Sequence, residues 1–383
     1  MKLLKLFILS FLSSSMLLVS CETEVQVNAP FDDIPVVYGL LDITDTIHYI
    51  KVNKTFLGEG DANLMATIRD SSEYEDIKVT VKRVNQFDGN KFDREYLLEE
   101  VEVTNKEEGL FYGPEQTVFA FEESALSADN KYLLEIDIDN GRKIITSETD
   151  LISPDNVFRD FRYRLETAFW SSVKDNGLRF ANSDTILQGY ELSVFPPTNS
   201  KRVQLTFVFL YNDVLNIGGS EIIDDKAITI NLGSKVVRKP EQPEKAEFDL
   251  GALTFFEFVN SIIPSADETA NLVKRVPVGC DFIVTAAEEE LHFYMEVNTP
   301  SGDLNQEKPE YTNIEGGVGI FSSRLKANFT TNSEIPFVTL NDETIQELVD
   351  GILTEQFGLA LGEQGWCHSN LPSSNPQSCN YVP

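Results

Sequence analysis

Lys131-Tyr132-Leu133-Leu134-Glu135-Ile136-Asp137-Ile138, then Asp139-Asn140-Gly141-Arg142, then Ile144 through Thr149, is the stretch that decides the fold class. Side chains of a strand alternate between its two faces, so the near-regular apolar/polar alternation on both arms predicts two half-buried strands. Asn140-Gly141 supplies the two residues best suited to positive φ, which is what a tight hairpin turn requires. Working outward, Ile77-Lys78-Val79-Thr80-Val81-Lys82-Arg83-Val84 alternates in the same way. Val36-Val37-Tyr38-Gly39-Leu40-Leu41 and Thr46-Ile47-His48-Tyr49-Ile50-Lys51-Val52 read as strands across a turn at Asp42–Asp45. Tyr96 to Val103 reads as one further strand, after a turn at Asp88-Gly89-Asn90, and Thr117 to Phe121 as another. About seven short strands in roughly 120 residues predict an immunoglobulin-like β-sandwich over residues 31–153, without the Cys…Trp…Cys core of antibody domains.

Ser153-Pro154-Asp155-Asn156 is a turn cluster and the predicted boundary. Residues 154–383 read as a second, β-rich domain. Gln188 to Phe195 and Val203-Gln204-Leu205-Thr206-Phe207-Val208-Phe209-Leu210 are its clearest strands. Two helices are predicted inside it. One covers residues 253–263, with Phe255, Phe256, Val259, Ile262 and Ile263 at helical spacing before Pro264. The other covers 341–357, with Asn341 and Asp342 as N-cap candidates and Ile345, Leu348, Val349 and Ile352 on one stripe.

The first twenty residues form a signal peptide: Lys2 and Lys5, then an apolar run diluted only by serines and too short to span a bilayer, which takes ~20 apolar residues. Leu18-Val19-Ser20-Cys21 is similar to a bacterial lipobox, which makes Cys21 the acylated N-terminus of the processed chain. The competing reading is an ordinary secretory signal with a chance cysteine. Each buried methylene adds ~0.8 kcal/mol, so two or three acyl chains hold a protein on a membrane. Residues 21–30 are then an acidic tether. Glu22 and Glu24 resemble the signal that sends lipoproteins of Bacteroidota to the outer face of the outer membrane, the periplasmic face being the alternative.

The chain carries 62 acidic against 31 basic residues, a formal charge of −31 that both halves share. Such a surface repels phosphate backbones and anionic headgroups, which excludes nucleic acid as a partner. At 42% hydrophobic and 10% aromatic residues, the chain has ample material for packed cores.

Residues with chemistry are few. Cys280, Cys367 and Cys379 remain once Cys21 is acylated. Outside the cytoplasm Cys367 and Cys379 can close a disulfide loop worth ~3 kcal/mol, while a metal reading would have only His368 beside them. Cys280 reads as a small buried apolar residue. His48 and His292 sit in stretches read as strands, and no H-x-x-x-H, H-E-x-x-H or C-x-x-C occurs, so no metal, cofactor or catalytic residue is expected. Glu288-Glu289-Glu290, Asp224-Asp225 and Glu59-Gly60-Asp61 read as solvated turns. Glu135 to Gly141 has the look of a calcium loop, but its glycine falls one place late. Thr46 and Thr185, in Asp45-Thr46-Ile47 and Asp184-Thr185-Ile186, resemble the Asp-Ser/Thr-apolar sites O-glycosylated in Bacteroidota. Asn313-Ile314-Glu315-Gly316-Gly317-Val318-Gly319-Ile320-Phe321 lacks the lysine and helix of a phosphate cradle and reads as a bend entering a strand at 320–325.

The lipobox, Val37-Tyr38-Gly39-Leu40-Leu41, the Tyr132…Gly141…Thr149 hairpin and the Asn313-to-Phe321 string together resemble the Bacteroidota lipoprotein family built on domain of unknown function 4249. The resemblance spans nearly the whole chain after the signal and brings no active-site residues. It implies an accessory lipoprotein on an outer-membrane β-barrel of the TonB-dependent receptor type. The expectation is therefore a non-enzymatic binding or accessory subunit. A glycosidase-like hydrolase with dispersed carboxylates, or an adhesion module, is the alternative.

Overall fold

A computed structural model describes residues 32–56, 61–85, 91–104, 106–107, 109–154, 178–182, 186–238, 244–299, 310–329, 340–354 and 357–359. Eight strands make the first region: β1 (Pro35–Asp42), β2 (Ile47–Lys54), β3 (Ile77–Asn85), β4 (Lys91–Leu97), β5 (Glu99–Val103), β6 (Gln116–Glu122), β7 (Asn130–Ile138) and β8 (Lys143–Asp150). Two short helices, α1 (Ala62–Ala66) and α2 (Arg69–Ser72), lie between β2 and β3.

One sheet runs β1-β2-β6-β5 and the facing one β4-β3-β7-β8. This is the strand arrangement of an immunoglobulin fold, with β4 as the extra strand beside β3. Alternation along β7 buries Tyr132, Leu134, Ile136 and Ile138 against Val37, Ile50, Phe119 and Phe121 of the other sheet. Tyr132, near the start of β7, turns its hydroxyl back to the chain five residues upstream, where it accepts from the Ser127 N–H at 3.0 Å. That contact is the tyrosine corner of such sandwiches. At the predicted hairpin Asp139, Asn140 and Gly141 all take positive φ. Asp137 accepts the Gly141 N–H at 2.6 Å and Asp139 pairs with Arg142 at 2.5 Å, so these carboxylates serve the turn.

The stretch read as one strand from Tyr96 to Val103 is two. β4 belongs to one sheet and β5 to the other, and Leu98, buried between them, marks the crossing. The apolar phase slips at the crossing, from Tyr96 and Leu98 to Val101 and Val103, across the doublets Leu97-Leu98 and Glu99-Glu100.

In the second region β9 (Gly189–Val194) pairs with β12 (Ala246–Gly251). The long strands β10 (Arg202–Ile217), β11 (Ser220–Val236) and β13 (Leu272–Ala287) form an antiparallel ribbon, joined by β14 (Val318–Phe329). The helices are α3 (Ala252–Ile262), α4 (Glu289–Asn298) and α5 (Asp342–Asp350). Phe255 of α3 centres an aromatic core, stacked on Phe180 at 4.7 Å and edge-on to Phe209 at 5.4 Å. The predicted 341–357 helix is cut to α5: Asn341 does cap it, accepting from Thr344 N, but Gly351 ends it and Ile352 stands 92% exposed rather than on the apolar stripe. α4 was not foreseen. His292 lies in this helix and not in a strand, and Glu288 is its N-cap rather than part of a solvated turn, accepting the Glu290 N–H at 2.8 Å. Asp224 and Asp225 lie within β11, and Asp61 caps α1, so these too are element residues and not turns.

β14 pairs in parallel with β1, from Val36↔Val318 to Asp42↔Arg324. One eight-stranded sheet, β11-β10-β13-β14-β1-β2-β6-β5, thus crosses residues 153/154. The hydrophobic cores are nonetheless two: Leu151 belongs to the sandwich and Ile152 to the second core, while Ile314 and Phe321 return to the first. The glycine-rich string makes this return possible. The Asn313 side chain pairs with the backbone of Phe321 as a strand would, at 2.7 and 3.0 Å, and Glu315 pairs with Thr146 of β8. At Gly319, φ is +116°, and a Cβ there would sit 2.0 Å from the Val37 carbonyl oxygen.

Candidate functional site

Two ends of the sandwich carry the features with functional content. At the end where β1 begins, Asp33 is clamped from three directions. It accepts from the Tyr74 hydroxyl at 2.5 Å and from Arg142 at 3.1 Å, and the Lys143 ammonium lies 3.4 Å away and donates to the Asp33 carbonyl. Asp32 adds a 2.7 Å pair with Lys143. Burial pushes the Asp33 carboxyl up, but the Tyr74 hydroxyl and the two cations outweigh it and hold it well below the usual range. Burial and the same hydrogen bond push the Tyr74 hydroxyl up. The hairpin β7–β8 therefore grips the chain at Asp32–Asp33, shortly after residues 21–30, the segment read as tether.

At the opposite end of β2 lies an open groove of about 520 Å³ on the β1-β2-β6-β5 sheet. Ile47 and Tyr49 of β2, Leu97 of β4 and Val101 of β5 line it, exposed by 37%, 47%, 60% and 36%. Apolar side chains gathered at the surface in this way mark interaction sites more often than singly scattered ones do. Alternation explains why Ile47 and Tyr49 are outside: His48 and Ile50 of the same strand are buried, so their neighbours face outward. Tyr38 extends the aromatic surface toward α4, its ring edge-on to Tyr294 at 6.3 Å. Glu99 and Glu122 stand in the groove on either side of Ala120. β2 spans eight residues, so the groove and the clamp are separated by roughly 25 Å along the strand.

The other described groups with chemistry that the sequence singled out make structural contacts. His48 is buried and packs on Phe121; its Nε2 faces the Glu123 carbonyl at 2.9 Å and so carries the proton. His292 accepts from Arg202 at 3.2 Å, and burial, then Arg202, push its pKa down. Glu288 accepts from Ser322 Oγ at 2.8 Å as well as from the helix backbone, and burial pushes its carboxyl up. Glu290 is pushed up by burial and by Glu288, and accepts from Tyr311. Cys280 is fully buried in the second core, where burial pushes its thiol up. Among the described residues no three His, Cys, Asp or Glu side chains gather in a metal-binding set, and no helix is long and apolar enough to cross a membrane.

Of the residues singled out in the sequence, Thr46 is described: it is exposed in the β1–β2 turn, next to Ile47 of the groove. Cys21, Glu22, Glu24, Thr185, Cys367 and Cys379 lie outside the described residues. Sequence reading missed both the groove and the clamp, because each joins residues far apart in the chain. The available signal was the row of large apolar residues, Tyr38, Ile47 and Tyr49, on the polar phase of their strands.

No family model matches the chain, and no curated protein matches it. Among solved structures it is similar to the C-terminal globular domain of an oligosaccharyltransferase from Pyrococcus abyssi, at 12% identity and a TM-score of 0.20, over 64% of this chain and 45% of that one. The chain thus spans less than half of that structure's length, and a likeness of this size carries no argument about activity.

Proposed function

We propose that this chain is a lipoprotein anchored to the outer membrane through Cys21, facing the cell exterior, and acting as a non-enzymatic binding or accessory subunit of an outer-membrane β-barrel of the TonB-dependent receptor type. The observation that carries this reading is the separation between the clamp and the groove. A lipid at Cys21 and a grip at Asp32–Asp33 leave eleven intervening peptide steps, at most ~40 Å of extended chain. A body held so closely at one end turns its exposed apolar groove away from the anchor, where a partner can reach it.

Protease shaving of whole cells, combined with affinity purification of the tagged chain from intact outer membranes in mild detergent, tests it. Removal by shaving and co-elution of one barrel are expected. A chain protected from protease and eluting alone overturns the reading. Cys21→Ala should release the chain from the membrane fraction altogether. Two finer assignments are read by intact mass: a Cys367–Cys379 disulfide as a shift on reduction and alkylation, and a sugar at Thr46 or Thr185 as added mass that a threonine-to-valine change removes.

A further inference from the structure

Resting on that binding reading, we infer that the groove receives a cationic, extended segment of a protein partner, laid along the open edge of β5 with a lysine or arginine seated between Glu99 and Glu122. Three observations converge on this chemistry. First, β5 is the last strand of its sheet, so one of its edges pairs with no strand among the described residues. Such an edge offers a ladder of N–H and C=O groups to an added strand. Second, sheet edges are guarded by charged side chains, lysine above all, and β5 is charged with the opposite sign, reading Glu-Glu-Val-Glu-Val. Glu102 pairs with Arg69 at 3.1 Å, but no cation pairs with Glu99, Glu100 or Glu122 among the described residues. This edge therefore discourages acidic strands and attracts basic ones. A second copy of the chain is disfavoured on the same ground, since it brings the same acidic edge and a formal charge of −31. Third, the floor between the two glutamates is apolar. Ile47 pairs across from Glu122, and Glu99 pairs across from Ala120, which itself lies opposite Tyr49. A strand that carries a cation and an apolar residue two positions apart matches both features, because Glu99 and Val101 share one face of β5: the cation meets the glutamates beside Tyr49, and the apolar side chain covers Val101.

The test uses the full chain in nonionic detergent and two fluorescent peptides of about ten residues, one of Arg-Arg-Val-Val repeats, which sets arginine and valine in turn along each face, and one with glutamate in place of arginine, long enough to run past β5. Anisotropy is read near physiological salt, where interactions between distant exposed charges are screened. The arginine peptide should bind and the glutamate peptide should not. Glu99→Lys with Glu122→Lys should weaken binding by about tenfold or more, the scale of losing one or two charge-assisted contacts. Tyr49→Ser should weaken it severalfold with the charge unchanged. The control, Glu221→Lys with Glu247→Lys, makes the same charge change on exposed positions of the second region and should leave affinity within about twofold. Unchanged thermal midpoints show that each variant is folded. Equal losses in both double variants mean attraction to bulk negative charge and overturn the proposal, as does no loss in the groove variant. A dimer by sedimentation that the groove variant abolishes also overturns it, because the face then belongs to a second copy. The peptide measurement needs no membrane, so its failure alongside an intact barrel co-elution places the partner elsewhere on the body. Success alongside failed co-elution keeps the groove and removes the barrel.

Discussion

The sandwich and the second region each bury an apolar core, the second region's the larger, but they keep their charges in different places. In the sandwich most ion pairs sit at the periphery: Arg69–Glu73, Lys82–Glu135, Arg83–Asp93 and Lys131–Glu148 all keep at least one partner substantially in water, while the clamp pair Asp33–Lys143 is more enclosed. Specificity inside comes from alternation and from a few buried polar groups, among them the Tyr132 hydroxyl and His48. The second region instead carries an ion pair through its interior. Arg275 is fully buried; its Nε meets Asp213 at 2.7 Å, Nη1 donates to the Pro264 carbonyl at 2.9 Å and to that of Phe357, and Nη2 donates to Thr269 at 2.8 Å. One side chain thus ties β10 and β13 to the loop after α3 and to residues 357–359. An all-apolar alternative cannot make those ties, because the loop carbonyls it holds would be left without donors.

The largest effect expected follows directly. Arg275→Ala leaves the buried Asp213 and two carbonyls unpaired and should cost about 3–5 kcal/mol, the usual penalty for breaking a buried pair. Arg83→Ala in the sandwich, which loses only a partly exposed pair at 2.8 Å, should cost no more than about 1 kcal/mol. Chemical denaturation of both variants measures the contrast. Equal losses would show that burial of the pair is not what separates the two regions.

Next comes the join between them. Gly319→Ala places a Cβ against the Val37 carbonyl at a backbone angle that side chains rarely adopt. Backbone strain alone amounts to about 1–3 kcal/mol, and the overlap adds to it. Because β14 belongs to the shared sheet, hydrogen exchange should rise in β1 and β14 together. Faster exchange in β14 alone would mean that the parallel pairing contributes little.

Tyr132→Phe is expected to be milder. It removes one hydroxyl and strands the Ser127 N–H, for a loss of roughly 1–3 kcal/mol confined to the sandwich. A loss read equally in the second region would show that the two cores unfold as one.

How much of this was legible depends on how local each feature is. β1, β2, β3 and the β7–β8 hairpin follow from alternation and from Asn140-Gly141, and α3 from Phe255, Phe256 and Val259 at helical spacing. α4 was hidden because Leu291-His292-Phe293-Tyr294-Met295 carries β-prone aromatics, and the helix is made by the Glu288 cap and by packing on β14, which sequence spacing does not contain. The shared sheet was hidden for a stronger reason. β1 and β14 meet across some 280 residues, and neither strand's pattern names its neighbour. Arg275 and Asp213 were invisible likewise: one basic and one acidic residue among many, joined only by the register of β10 with β13.

The smallest effect expected is a difference in pH response, and its sign differs between the regions. In the sandwich, burial pushes Asp33, Glu73 and Glu123 up, but hydrogen bonds and cations outweigh it and leave all three carboxyls below their ordinary values. An acid with a depressed folded pKa binds fewer protons folded than unfolded, so its contribution is complete above the unfolded value and is lost as pH falls through the folded one. The sandwich should therefore hold its stability from pH 7 to about 5 and weaken below about 4, where unfolded carboxylates protonate. In the second region Glu288, Glu290 and Glu347 are raised, first by burial, so the folded state retains protons that the unfolded chain has released. Their penalty grows as pH rises through the folded values, and mild acidification relieves it. His292 works the other way: its lowered pKa makes protonation favour the unfolded chain as pH falls below about 6.5. In His292→Gln only the glutamates remain, so hydrogen exchange, corrected for its intrinsic pH dependence, should show α4 and β13 gaining protection as pH falls from neutral toward the ordinary glutamate value while β7 and β8 stay level. Adding Glu288→Gln should shrink that gain. If β7 and β8 gain as much as α4 does, the shared sheet transmits the charge response across the whole molecule, and the contrast between the two cores is one of composition and not of energetics.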